Sequence, residues 1–414
     1  PASAEAHGHA MAALAPVVAD APPPFLGYGR QLIEEDDIAA VVAALRSDHL
    51  AHGPCVERFE RALAQACGAR EAVACSSGTA ALQLALAALD VGPGDVCVVP
   101  AVTFLSTATA ARMLGAEVRF ADVDADTGLM TPDTLAAALG AGGPVKAVLP
   151  VHLGGRLCHT AALAALAGQA GAAVVEDACH AIGGTDAAGR PVGACATSDA
   201  ATFSFHPVKT LAAGEGGAVT VNDPGRAARM RRLRNHGVSR EAADIAAVVA
   251  TEADGRPAPF AYAQLELGWN LRLDEMSAAL GLSQLAKLDR FVRARAALAA
   301  LYDQALAPLA PAVRPVARDP ATRPGLHLYT VRLHDPALAA RRGAIIRALH
   351  AEGIGAQVHY IPLYRQPYFR ARYGEMRLPG AEAWFARALA LPLHPAMTPG
   401  DVARVAEALG RAVG

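Results

Sequence analysis

Charge imbalance is what this sequence most plainly lacks: 37 Lys and Arg stand against 39 Asp and Glu, a formal net charge of −2 over 414 residues. A surface so balanced exerts no bulk pull on nucleic acid or on anionic membrane, which argues against partners of either kind. Long apolar runs are missing too. No stretch of spanning length escapes interruption by charge, Gly or Pro, so no transmembrane helix is expected. Cysteine is sparse and scattered: Cys55, Cys67, Cys75, Cys97, Cys158, Cys179 and Cys195 form no CxxC pair. That spacing offers no zinc motif and no metal site, and it suits reduced thiols in a cytoplasm better than a disulfide framework. There is no GxxxxGK[ST] loop, and no GxGxxG follows a strand, so neither a Walker loop nor the dinucleotide fingerprint applies. No internal repeat occurs. Residues 1–24 are rich in Ala and Pro, end in Pro22-Pro23-Pro24 and lack the basic start of a signal peptide. They read as a disordered extension, with Met11 a candidate internal start.

What remains is apolar and rhythmic. The 53% hydrophobic content is ample for a large core and two lobes. A helix is expected over Glu34–Leu45 with Ile38, Val41, Val42 and Leu45 on its inner face, and a second carrying Val56, Phe59 and Leu63. Short apolar strands are expected at Ala72–Ala74, Val96–Pro100, Val118–Val123, Ala147–Val151, Ala173–Glu176, Ala200–Phe205 and Ala218–Val221, most of them separated by helices. Such alternation argues an α/β fold around a mostly parallel sheet covered on both faces. Past Asn222 come a basic helix, a polar insertion over Ser239–Phe260, one long helix from Glu275 to Ala300, and a proline-rich passage over Pro308–Pro324. The last leads to a smaller α/β unit at the C-terminus. The expected division is 25–270 for the N-terminal helices and large domain, and 271–414 for the connecting helix and small domain.

Chemistry gathers at strand ends. Lys209 follows a strand and a His-Pro turn, and the glycine-bracketed Gly214-Glu215-Gly216-Gly217 comes just after. A lysine lodged among apolar and small residues loses water, which favours the neutral amine that attacks carbonyls. A lone lysine in such a place is more often structural, so the rest of the chain must supply its context. Ser76-Ser77-Gly78-Thr79 joins a strand to a helix, and free amides, hydroxyls and the helix dipole there suit a phosphate. Ordinary N-capping is the commoner use of such a turn. Asp177 ends a buried strand, where ligand sites of open α/β sheets lie, and a carboxylate there can hold a pyridinium nitrogen protonated. His180, three residues on, can donate to a ring oxygen or simply fill a core edge. Phe104, after another strand, can stack on a planar ring or pack the core. Ser204 offers a further hydroxyl to the phosphate.

Taken in order, these residues describe a pyridoxal phosphate (PLP) site. The strings CSSGTAAL, PAVTFLSTATA, VEDACHAIG, SFHPVKTLAAGEGGAV, RNHG, GWNLRLDEMSAALGLSQL and GIGAQVHYIPLY resemble the DegT/DnrJ/StrS family of sugar aminotransferases from Tyr28 to the C-terminus. The resemblance implies a PLP-dependent transferase of the aspartate-aminotransferase type (fold type I). It implies an α/β fold with a large, mostly parallel sheet domain and a small α/β C-terminal domain. It makes Lys209 the lysine that joins the cofactor aldehyde and Asp177 the partner of the ring nitrogen. Ser77, Gly78, Thr79 and Ser204 fall on phosphate positions, Phe104 on the stacking position, and His180 beside the ring. Asn270 matches an asparagine presented to the neighbouring subunit's cofactor, which implies a homodimer with shared sites. Tyr28, the loop Asp48, His49, Leu50 and Ala51, and the segment His359, Tyr360, Ile361 and Pro362 fall where sugar-nucleotide contacts are expected. SDHLAHG, HPVK and QVHYIPLY most resemble members that aminate C4 of a UDP-linked 4-keto-6-deoxy-N-acetylhexosamine in pseudaminic acid synthesis, with an amino-acid donor, glutamate by family habit. Relatives with histidine in place of the lysine are dehydratases, and Lys209 argues against that role. Another 3- or 4-keto sugar, a PLP-binding regulator without turnover, and a non-PLP phosphate binder are the other readings. The Ala-Pro start and the Ser239–Phe260 insertion depart from the common pattern without touching the cofactor positions.

Overall fold

The computed structural model describes residues 24–249, 252 and 254–414, so nearly all of the expected 1–24 extension lies outside the described residues. Two helices, α1 (Glu35–Leu45) and α2 (Pro54–Cys67), precede the main sheet. Its strands are β1 (Glu71–Cys75), β2 (Val96–Pro100), β3 (Glu117–Ala121), β4 (Ala147–Val148), β5 (Ala173–Asp177), β6 (Ala200–Ser204) and β7 (Gly217–Val221). Helices α3 (Gly78–Ala87), α4 (Leu105–Met113), α5 (Pro132–Gly140) and α6 (Thr160–Gln169) make the crossovers. The strand order is β1-β7-β6-β5-β4-β2-β3. β7 alone runs against its neighbours, β1 and β6, while β6, β5, β4, β2 and β3 are mutually parallel. The strands are buried on both faces, as their near-continuous apolar runs require: Val73, Val99, Leu149 and Val219 face one core, and Ala74, Ala201 and Phe203 the other.

This topology gathers the chemistry. The carboxyl ends of β1, β2, β5 and β6 point the same way, and β7, being antiparallel, begins where they finish. Gly217 accordingly pairs with both Cys75 and Ser204. The turns after Cys75, Pro100, Asp177 and Ser204, and the one before Gly217, all open on one edge of the sheet, the usual place for a ligand in such a fold.

Beyond β7 come α7 (Pro224–Leu233) and a two-stranded ribbon of β8 (Val238–Ser239) and β9 (Ala263–Gln264). The ribbon brackets the insertion, which holds α8 (Ala242–Ala246) and a small core of Ile245, Ala258 and Ala261. Next are α9 (Glu275–Leu285) and α10 (Leu288–Ala305), then a second, antiparallel sheet of β10 (Val313–Pro315), β11 (Tyr329–Leu333) and β12 (Ala388–Leu391) in that order. Helices α11 (Pro336–Ala340), α12 (Arg342–Ala351), α13 (Pro367–Tyr373), α14 (Pro379–Arg387) and α15 (Pro399–Val413) complete the chain. Tyr302, Val331, Leu349, Leu391 and Leu409 belong to the separate core of the small sheet.

Two local expectations need correction. The single helix foreseen over Glu275–Ala300 is two, broken at Ala286–Lys287. There the Lys287 ammonium turns back to α1 and pairs with Asp36 (2.6 Å), Asp37 (2.8 Å) and Glu34 (3.2 Å). The inner face of α1 also differs. Asp37 is fully buried, accepting from Ser283 Oγ at 2.6 Å and Gln284 Nε2 at 2.8 Å, and this polar anchor turns Ile38 and Leu45 outward, 47% and 56% exposed. Among the described residues, no helix is long and apolar enough to cross a membrane.

Candidate active site

A cleft of about 520 Å³ opens at the gathering edge. It brings together Ser77, Gly78, Thr79, Phe104, Asp177, His180, Ser204 and Lys209 from the large sheet with Tyr28, His359, Tyr360 and Ile361 from the two ends of the chain.

The phosphate-like corner is the start of α3. Ser77 caps the helix by accepting from the Ala80 N–H at 3.1 Å. The amides of Gly78 and Thr79 lie in the first turn, where no intrahelical acceptor exists, and remain free for a ligand. Glycine is required on both sides. A Cβ at Gly78 would fall 2.8 Å from the Cβ of Ser204, and one at Gly217 would fall 2.2 Å from the Ser77 carbonyl oxygen. The backbones of three turns thus close around a small space rimmed by the hydroxyls of Ser77, Thr79 and Ser204.

Asp177, the last residue of β5, is buried. Its Oδ2 accepts from Thr107 Oγ1 at 2.7 Å and its Oδ1 from the Cys179 N–H at 3.2 Å. Thr103, in the turn before α4, and Thr107, within it, share a further bond at 2.8 Å, which makes a small hydroxyl relay behind the carboxylate. Buried carboxylates need such donors.

Lys209 sits in a loop closed at its base. Phe205 N–H reaches the Gly216 carbonyl at 2.9 Å, Ala213 N–H reaches Phe205 at 2.8 Å, and the turn itself is pinned by Lys209 N–H to the His206 carbonyl at 2.8 Å. Leu211, Ala212 and Ala213 are buried behind it, which leaves the lysine facing the cleft. Among the described residues it makes no ion pair. Burial of the amine lowers its pKa from the ordinary lysine value, and the nearby Cys179 and Asp177 offset part of that shift. Burial, followed by the negative charge of Asp177, pushes the Cys179 thiol well up, so it stands in the cleft protonated.

The far wall is aromatic. His180 Nδ1 accepts from the Gly154 N–H at 3.2 Å, which leaves Nε2 to meet the Tyr360 hydroxyl at 3.4 Å. Burial, with the positive charge of Lys209, holds His180 well below the usual histidine range. The same two causes bring His359 down to about 3, so both rings are neutral. Phe104 and Tyr360 lie 5.9 Å apart, and Tyr28 and His359 5.3 Å. Burial raises both tyrosines.

Several sequence-derived residues stand outside this cleft in the single chain. Asp48, His49, Leu50 and Ala51 form an exposed loop against the start of α9, where Leu50 accepts the Glu275 N–H at 3.1 Å. Asn270 is exposed and bridges to Asn235, while its neighbour Leu271 accepts from Ser76 at 2.9 Å behind the phosphate-like turn. Pro362 is buried just behind Ile361. Thr107, Cys179, Glu215 and Gln366 were not singled out from the sequence. Cys179 at least had a legible signal, since it lies two residues past Asp177 in the same turn.

A planar molecule with an aldehyde, a ring nitrogen and a phosphate finds a counterpart for each in this cleft: Lys209, Asp177 and the α3 turn, with Phe104 free to cover a face. The residues present fit pyridoxal 5′-phosphate, and the fold is that of the fold type I PLP-dependent transferases. Comparison with known proteins narrows the class. Residues 31–410 match the DegT/DnrJ/EryC1/StrS aminotransferase family, and the chain belongs to it. It is 37% identical over 388 residues to the spore coat polysaccharide biosynthesis protein SpsC of Bacillus subtilis (strain 168), covering 93% of this chain and 96% of that one. Among solved structures it is similar to Helicobacter pylori PseC, an aminotransferase involved in the biosynthesis of pseudoaminic acid (TM-score 0.83, 26% identity, 94% of this chain and 99% of that one). It is also similar to Spr1654 of Streptococcus pneumoniae, designated a sugar aminotransferase and solved in PMP and PLP forms (TM-scores 0.84 and 0.83, 28% and 27% identity, 94% and 98% coverage). The protein is a PLP-dependent aminotransferase.

Proposed function

We propose that the enzyme moves an amino group from L-glutamate to C4 of a UDP-linked 4-keto-6-deoxy-N-acetylhexosamine. That is the reaction of a UDP-4-amino-4,6-dideoxy-N-acetyl-β-L-altrosamine transaminase in a pathway of the pseudaminic acid type. The observation that carries the catalytic part is the meeting of Lys209 and Asp177 in one cleft beneath Phe104. The substrate assignment is supported by the likeness of SDHLAHG, HPVK and QVHYIPLY to pseudaminic-pathway enzymes, and by the structural similarity to PseC.

Bound PLP supplies an aldehyde that joins amines and a ring that takes up the electrons released when a Cα–H bond breaks. Lys209 would hold the aldehyde; its amine, whose pKa burial lowers from the ordinary lysine value, would be the base that takes the proton from the donor Cα and, in the sugar half, the acid that supplies the proton to C4 of the sugar. Asp177 would keep the ring nitrogen protonated, its carboxylate held in place by Thr107. The α3 amides with Ser77, Thr79 and Ser204 would hold the phosphate, Phe104 would stack on the ring, and His180 would orient it. Tyr28, His359, Tyr360 and Ile361 would contact the sugar.

The active unit in this reading is a homodimer. Among the described residues no arginine lines the cleft, so in this reading a nucleotide diphosphate there draws charge from a second copy. In this reading the exposed Asn270 and the exposed Asp48–Ala51 loop serve a neighbour's cleft. Exposed Leu267 (87%) and Phe260 (75%) on the adjoining loop give that neighbour an apolar seat. This reading puts the enzyme in a reducing cytoplasm, which the seven unpaired thiols support.

The test is to offer UDP- and dTDP-linked 4-keto-6-deoxy sugars, with and without the 2-acetamido group, and compare kcat/KM. A site that hydrogen-bonds the acetamido group should reject sugars lacking it strongly. Preference for a dTDP sugar without that group, or amination at C3, would reject the substrate while leaving the aminotransferase intact.

A further inference from the structure

The cleft wall at His359, Tyr360 and Ile361 is held from behind by one side chain. Gln357 on one side exchanges backbone bonds with Ala390 (3.1 and 2.8 Å), and Leu363 on the other reaches the Ala101 carbonyl at 2.8 Å. Between these anchors, among the described residues, the backbone of 359–361 has a single hydrogen bond, donated by Trp384 Nε1 to the His359 carbonyl oxygen at 2.9 Å. Trp384 lies on α14 and is buried. Its indole is clamped. Gly128, at φ +69°, presses so close that a Cβ there would come within 2.8 Å of the ring, and the Arg156 guanidinium lies 5.3 Å from the ring centre. Arg156 is itself fixed by donation to the Thr127 carbonyl at 2.6 Å. The indole has little freedom to turn, so its N–H stays aimed at His359.

We propose that Trp384 is a positioning residue for the sugar half of the reaction: through the His359 carbonyl it sets His359 and Tyr360 against the sugar ring. The inference rests on reading the cleft as the nucleotide-sugar site. The donor half depends on different anchors. Lys209 is pinned within its own loop, Asp177 by α4, and His180, although it meets the Tyr360 hydroxyl at 3.4 Å, has its own tether from the Gly154 N–H at 3.2 Å; none of the three is tied directly to α14. Loosening the wall should therefore be felt by the sugar and not by the amino-acid donor.

The experiment uses the holoenzyme with two replacements: Trp384→Phe, and 3-benzothienylalanine at the same position, which keeps the bicyclic shape while sulfur replaces the N–H. Each half-reaction is followed separately by cofactor absorbance, alongside steady-state kinetics with the UDP-linked keto sugar. The donor half-reaction should stay within about twofold of wild type, while KM for the sugar rises about 2- to 12-fold, the span of one neutral hydrogen bond, with kcat little changed. Equal losses in both halves, or no change in either, would overturn the proposal. Should Trp384→Phe fold poorly, the benzothienyl protein decides. A wild-type enzyme that accepts glutamate but aminates none of the sugars refutes the substrate reading and this inference with it. Sugar turnover that is the same in wild type and variants refutes this inference alone.

Discussion

Replacing Thr107 by valine would remove one hydroxyl from behind the Asp177 carboxylate and little else. Thr107 is fully buried, donates to Asp177 Oδ2 at 2.7 Å, and shares a 2.8 Å bond with Thr103. Valine fills nearly the same volume, so the cost is polar rather than steric. A hydrogen bond to a charged acceptor contributes roughly 1.5–3 kcal/mol. Asp177 keeps its bond from the Cys179 N–H at 3.2 Å, which limits the damage, while the Thr103 hydroxyl loses its partner, which adds to it. We expect Thr107→Val to destabilise the apoprotein by about 2 kcal/mol in urea unfolding at fixed protein concentration, and Thr107→Ser to recover most of that. The sharper measurement is a double-mutant cycle with Asp177→Asn. If the hydroxyl serves the carboxylate, the two losses overlap, with a coupling of about 1 kcal/mol or more. Additive losses would show that Thr107 stabilises α4 on its own account, and the relay would be refuted.

Further outcomes follow from the same geometry. Borohydride should fix the cofactor covalently to the wild-type holoenzyme but not to Lys209→Ala; equal labelling of both would show that another amine carries it. His359 sits at about 3 against an ordinary 6.5, chiefly through burial and then through Lys209. The unfolded chain therefore binds more protons between those values, and the stability from this neutral ring is complete above pH 6.5 and fades as pH falls toward 3. His359→Gln should lessen the loss of stability between pH 6.5 and pH 5 by about 2 kcal/mol, and parallel pH profiles for the two proteins would contradict this. Finally, mixing inactive Lys209→Ala with inactive Asn270→Ala subunits, under conditions where subunits exchange, should restore partial activity by forming one intact site per hybrid dimer. No recovery would return Asn270 to its own subunit or remove it from the site.

Much of the site was legible because its residues are chemically conspicuous and lie where an α/β sheet gathers ligands. Asp177 ends a strand, Lys209, Phe104 and the Ser77–Thr79 turn each follow one, and the cleft holds all of them. What escaped notice works through distant partners. Thr107 looks like any helix threonine until folding brings it to Asp177, 70 residues away. Trp384 reads as core, and its N–H matters only because α14 passes behind His359. The outward turn of Ile38 and Leu45 was hidden for a related reason: periodicity gives an apolar stripe, but Asp37, buried against Ser283 and Gln284, decides which way the helix faces. The break at Lys287 is similar, set by carboxylates some 250 positions earlier in the chain.

The approach of Gly217 to the Ser77 carbonyl carries a lesson for anyone wishing to re-engineer this enzyme. Where backbone rests on backbone, variation has nothing to work with, since even a methyl group would have to displace a main chain. The phosphate-like corner is thus closed to gradual change. The wall that faces it, by contrast, is built from side chains on a segment with one polar tether, so it can be redrawn a residue at a time. A library aimed at new sugars should leave 77–79 and 214–217 untouched and concentrate its diversity on Tyr28, His359, Ile361 and Gln366, which can vary without disturbing how the cofactor is held.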